Sequence, residues 1–147
     1  MKDILLNQLI SVYEKHGKII IGLDFDDTIF PFNKSVANIN RCNDVVETVK
    51  AIKEAAIICL WSVADAQTLV YKAHIMELYG IKPDYVNESP VVKWGPCNKP
   101  YFNIQLDDKA GLNETLETLT NFIHYYNNGG KKKQQFVGPG VSIYEHD

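Results

Sequence analysis

The sequence predicts an α/β fold in which a parallel β-sheet is packed between helices, all within one domain spanning residues 1–147. Three observations carry this. Short apolar, β-branched runs recur near residues 18–25, 56–61 and 103–106, as expected of strands covered on both faces. Between them lie longer segments with apolar residues at helical spacing. Each run also ends in a polar cluster, the usual place for a ligand in an open parallel sheet.

The elements follow in order. Asp3 to His16 carries Leu5, Leu9 and Val12 at helical spacing, with Gly17 as a stop. Lys18 to Phe25 is the first strand. Ile29 to Asn40 holds Pro31, several asparagines and scattered aromatics, and reads as a flap beside the strand end. Asp44 is placed to cap a helix with Val45, Val49 and Ile52 on its stripe. Ala56 to Trp61 is the second strand and ends at Ser62. Asp65 to Tyr79 is a helix with Leu69, Ala73 and Met76 inward and Gly80 after it. A short strand is expected over Asp84 to Asn87, then a Pro-rich loop over Glu88 to Pro100. Asn103 to Leu106 is a strand ending at Asp107-Asp108, and Asn113 to Asn128 a helix with Leu116, Leu119 and Ile123 on one stripe. The tail, 129–147, has Lys131-Lys132-Lys133 and a Gly/Pro stretch, with an edge strand at Gln135 to Val137 as one option.

Composition narrows the function classes. The 147 residues are 46% hydrophobic and 22% charged, ordinary for a globular domain. A net charge of -3 gives no general attraction to nucleic acid or anionic membrane, although a local patch stays open. No apolar stretch is long enough to span a bilayer, and the N-terminus lacks a signal-peptide core. Cys42, Cys59 and Cys97 are widely spaced and match no zinc pattern, so a reducing cytoplasm is the expected location.

Chemistry concentrates at Asp24-Phe25-Asp26-Asp27-Thr28. Three carboxylates in four positions repel one another, which calls for a cation, a substrate or both. Alternate residues of an extended strand point the same way, so Asp24 and Asp26 are expected to face one site while Phe25 faces away.

An apolar strand followed by Asp24-x-Asp26-x-Thr28 resembles the first motif of the haloacid dehalogenase-like (HAD) superfamily of aspartate-nucleophile phosphatases. Three further motifs follow in order. Ser62 after the second strand is similar to the second. Lys99, with Lys93 as second choice, is similar to the third. Asp107-Asp108 is similar to the fourth. The resemblance implies a Rossmann-like fold and a magnesium-dependent phosphomonoesterase. Asp24 would be the nucleophile and Asp26 the general acid/base. Thr28 would steady the turn beside the substrate, and Ser62 and Lys99 would bind its phosphoryl group. Magnesium would take Asp24, Asp107 and the Asp26 carbonyl, with Asp108 reached directly or through water. Asp27 falls at a variable position and receives no catalytic role.

Each of these residues also has a plainer reading. Ser62 alone reads as a turn or cap, a lysine in a Pro-rich loop as solvated, and Asp107-Asp108 as a helix-start cluster. A structural calcium loop would need Asp-x-Asp-x-Asp-Gly and a distal glutamate, which are missing here. His74 and His124 read as surface or packing residues. The ordered combination favours the enzyme. Neither 29–55 nor 63–98 has room for a sizeable cap, so the resemblance is to the small capless members, whose open site admits a small molecule or a polymer end. Phe30, Phe32, Asn33 and Trp94 border the expected entrance, with packing preferred over base stacking as their role. An arginine often found soon after the second motif is replaced by Val63-Ala64-Asp65. That leaves the substrate open between small phosphoesters and nucleotide or nucleic-acid ends, the oligomeric state open, and a non-enzymatic phosphate- or metal-binding module as the competing class.

Overall fold

The computed structural model describes residues 2–88 and 102–130. Along the chain these form α1 (Lys2–His16), β1 (Ile19–Leu23), α2 (Val36–Ile52), β2 (Ala56–Leu60), α3 (Ala66–Leu78), β3 (Tyr85–Val86), β4 (Ile104–Leu106) and α4 (Leu112–Asn127), with a 3-10 turn at Lys53–Ala55. The four strands make one all-parallel sheet in the order β3-β2-β1-β4. The architecture is therefore α/β, with a parallel sheet flanked by helices.

The strands are short, but their apolar density fixes them in the interior. Every residue of β1 and β2 is buried. Ile19, Ile21 and Leu23 of β1 point to the face where Ile58, Leu60, Ile104 and Leu106 also point, and buried residues from all four helices join that cluster. On the opposite face, Ile20, Ile57 and Cys59 pack with Tyr85 and Phe102. Gly22 lies on this second face, where a Cβ would meet the Phe102 ring at 2.3 Å, so only glycine lets that ring settle on β1.

The edge strands are prolonged by side chains that copy the ladder. The Asp84 carboxylate accepts from Ile58 N–H at 2.8 Å while Asp84 N–H donates to Ile58 O at 2.8 Å. Asn103 does the same with Ile20, at 2.7 and 2.9 Å. These clamps leave strand-centre backbone groups paired where β3 and β4 have not yet begun.

One boundary differs from expectation by a wide margin. The helix expected from Asp44 starts at Val36, capped by Ser35, whose hydroxyl accepts from Asn38 N–H at 3.2 Å. Asp44 lies inside it, and the region expected as a flap over 29–40 divides into a loop to Ser35 and the first turns of α2. The asparagines that suggested a loop are tolerated because Asn38 spends its side-chain amide on Asn33 O and Asp27, at 2.7 and 2.8 Å. The Pro-rich loop and the tail beyond 130 lie outside the described residues, and with them Lys93, Trp94, Cys97 and Lys99.

Candidate active site at the carboxyl ends of the strands

Parallel pairing brings the ends of β1, β2 and β4 to one pole. Asp24 N–H donates to Leu106 O at 3.0 Å and Trp61 N–H to Leu23 O at 2.9 Å, so the residues after each strand are held side by side. The chain then turns tightly. The amides of Thr28, Ile29 and Phe30 all donate to Phe25 O, at 3.3, 3.0 and 3.1 Å. Phe25 is buried beneath the turn and stacks on Phe30, with ring centroids 5.5 Å apart.

The first half of the site is acidic. Carboxylate oxygens of Asp24, Asp107 and Asp108 lie within 4.8 Å of one another. Thr28, fully buried, ties them together. Its hydroxyl accepts from Asp108 N–H at 3.0 Å and shares its one proton between Asp24 Oδ2 at 3.3 Å and Asp108 Oδ1 at 3.4 Å. Burial, and then the negative charge of Asp107, push the Asp24 carboxyl up to about 6 from 3.8, with Asp108 adding to the rise. A donor set of three carboxylates suits a hard, oxygen-seeking divalent cation. Such an ion would remove the repulsion that holds Asp24 near protonation.

The second half is built on Lys72. This lysine is only 8% exposed and projects from α3 beneath the turn. Its ammonium donates to Ser62 Oγ at 2.9 Å and to Asp26 Oδ2 at 3.2 Å, and lies 5.2 Å from the centre of the Phe25 ring. Ser62 is held by Asn87, whose side-chain carbonyl accepts from Ser62 N–H and whose amide donates to Ser62 O, each at 2.9 Å. Asn87 has a φ of 52°, in a left-handed conformation that asparagine tolerates better than most residues. Since Ser62 Oγ accepts from Lys72, its own proton is left to donate elsewhere.

The structure thus brings Asp24, Thr28, Asp107 and Asp108 into one cluster, and Asp26, Ser62 and Lys72 into another. Lys72 was not foreseen. The signal was present in its position: it shares the inward stripe of α3 with Leu69, Ala73 and Met76, where a lysine must find buried partners. Asn87 closes the strand expected over Asp84 to Asn87, and nothing in the sequence marks its bonds to Ser62.

Asp27 takes a third direction. Its φ of 58° swings it away from its neighbours, and its carboxylate accepts from Asn33 N–H and from the Asn38 amide, both at 2.8 Å. The Asn33 bond is the main cause of its lowered pKa. Phe30 packs inward as expected, whereas Phe32 is 74% exposed. His74 and His124 are exposed on their helices, and among the described residues no helix is long and apolar enough to cross a membrane. No family model, no curated protein and no solved structure matches the chain.

Proposed function

We propose that this chain is a magnesium-dependent phosphomonoester hydrolase of the HAD-like, capless type, working through a phosphorylated Asp24. The observation that carries the reading is the pair of clusters at one sheet edge: an acidic triad containing Asp24, beside a buried lysine joined to Ser62 and Asp26. Asp24, Asp107 and Asp108 would hold the ion, which supplies charge neutralisation at the phosphoryl oxygens.

The chain's own residues divide the remaining work. An Asp24 oxygen attacks phosphorus and the bond from phosphorus to the leaving oxygen breaks. Asp26, 53% exposed at its side chain, gives that oxygen a proton. Water then attacks the aspartyl-phosphate, Asp26 takes up its proton, and inorganic phosphate leaves with Asp24 restored. Ser62 donates its free hydroxyl proton to a phosphoryl oxygen. Lys72 balances the negative charge that develops there and orients Asp26, the role expected of Lys99 or Lys93. Thr28 holds Asp24 and Asp108 in register. Between β1 and β2 the chain holds only the turn, a short loop, α2 and the 3-10 turn, which supports an uncapped entrance.

Metal-dependent release of phosphate from an aryl phosphate tests this directly. Release should vanish in Asp24→Asn, and unchanged turnover in that variant would overturn the assignment. Exposed Phe32 favours a narrower reading, a nucleotide or nucleic-acid end as substrate. A panel of nucleotide, 3'-phosphorylated oligonucleotide, phosphopeptide and sugar phosphate separates these, with a preference for sugar phosphate excluding the narrower reading. Beryllium fluoride separates the enzyme from a binding module, since only a competent Asp24 forms the acyl-phosphate mimic.

A further inference from the structure

The helices differ in how much of themselves they bury. Six of the 17 residues of α2 are buried and four of the 16 of α4, but only Lys72 and Met76 of the 13 in α3. The sequence of α3 does not match so light a burial. Its apolar residues run round the whole helix instead of forming one stripe. Ala73 and Met76 pack on the core, while Val70, Tyr71 and Leu78 turn outward and are 64–72% exposed. Val63, just ahead of the helix, is fully exposed. Four of the seven large hydrophobics exposed among the described residues therefore belong to one face, which is a patch and not a scatter. A helix that is apolar all round is normally covered all round.

The chemistry of this face limits what can cover it. The one cation of α3, Lys72, is buried and spent on Ser62 and Asp26. The outer side of the helix carries Gln67, His74 and Glu77 beside the apolar residues, with no lysine or arginine. An anionic membrane surface or a nucleic acid would find no base to bind.

The order of the residues is self-complementary. Turned end for end about a two-fold axis passing between residues 70 and 71, the face maps onto itself. Val63 then meets Leu78 of a second copy, Val70 meets Tyr71, and Gln67 meets His74. Each apolar residue faces an apolar one and each polar residue a polar one, as an isologous contact requires. The two helices run antiparallel, which sets the positive end of each dipole beside the negative end of the other.

We propose that α3 is a dimerisation helix, and that its outer face is covered by α3 of a second copy packed antiparallel about that axis. The second copy would brace from outside the helix that carries Lys72 on its inner side. A contact of one helix per copy is at the small end of stable interfaces, so the dissociation constant should be about 1–100 µM. The proposal is independent of the hydrolase reading, because molar mass reads it without turnover.

Sedimentation equilibrium on the full chain should give twice the 16.7 kDa of one chain at about 500 µM, falling toward one chain below about 1 µM. Val70→Glu places like charges across the axis and should leave a monomer at the higher concentration, with an unchanged circular dichroism spectrum. Val70→Lys should do the same. Mixed in equal amounts the two variants should pair again, since an acid then faces a base across the axis. Ile4→Glu, at an exposed apolar position of α1, should leave the dimer intact. If either change at Val70 disturbs the fold, Leu78→Glu mixed with Val63→Lys makes the same test at the ends of the face. A parent chain that stays monomeric at the higher concentration, a dimer that survives Val70→Glu, a dimer lost equally in Ile4→Glu, or charged variants that fail to pair when mixed would overturn the proposal.

Discussion

At the scale of single residues, the buried ammonium of Lys72 and the crowded carboxyl of Asp24 each cost stability in their charged forms. Burying an ammonium costs solvation, which two hydrogen bonds and the Phe25 ring only offset. Asp26 is about half exposed and so is not stranded if its partner goes. Lys72→Met should therefore fold with an unfolding temperature equal to or above that of the parent, while phosphate release falls by about a hundredfold or more. Thermal unfolding and turnover, measured on one preparation, check both halves. Asp24 carries the same kind of cost, and pH reveals it. Its carboxyl is raised from 3.8 to about 6, so between those values the folded chain binds more protons than the unfolded chain. In chelator, the contribution of Asp24 should be fully present below its unfolded value of 3.8 and be lost as pH rises through about 6. Solvent screening at this half-buried group limits the loss to about 1 kcal/mol. Affinity for a divalent cation should rise over the same interval. Urea unfolding at pH 4 to 7 checks the sign, and Asp24→Asn should flatten the slope. Asp24, Ser62, Asp107 and Asp108 were legible in the sequence because each follows an apolar run. Lys72 was not, since it comes ten positions after Ser62 and only the helix phase of α3 turns it toward the site.

At the scale of elements, the seat of Phe102 on β1 connects packing to the acidic cluster. Phe102 precedes the Asn103 clamp and β4, which carries Asp107 and Asp108 at its end. Gly22→Ala would drive a methyl into the ring and should destabilise the fold by about 1–3 kcal/mol. Adding Phe102→Ala should make the double variant less unstable than the sum of the two single changes, a coupling that chemical denaturation measures. The strand cores were legible because β-branched runs allow few alternatives. The start of α2 was not, because the four asparagines ahead of Asp44 resemble a loop until Asn38 is seen bonded to Asp27 and Asn33. The clamps of Asp84, Asn87 and Asn103 were hidden for a similar reason: a polar residue at a strand edge gives no sign of which backbone group it will meet.

At the scale of the whole molecule, strand order makes one site out of distant segments. With β1 between β2 and β4, residues 24, 62 and 107 become neighbours although 83 positions separate the first from the last. Loading such a site ties the neighbouring strands together. Magnesium at a hundredfold excess over its dissociation constant should stabilise the fold by about 2.7 kcal/mol. The unfolding temperature should climb with magnesium and not with potassium, and Asp107→Asn should abolish the response.

The three aspartates of the turn are anchored to three different parts of the protein. Asp24 faces the end of β4, Asp26 is moored to α3 through Lys72, and Asp27 is moored to the start of α2 through Asn33 and Asn38. The turn is therefore a tripod. Because the amides of Thr28, Ile29 and Phe30 converge on the Phe25 carbonyl, the three legs meet in one short turn, and a substitution that frees any one of them should be felt at the other two.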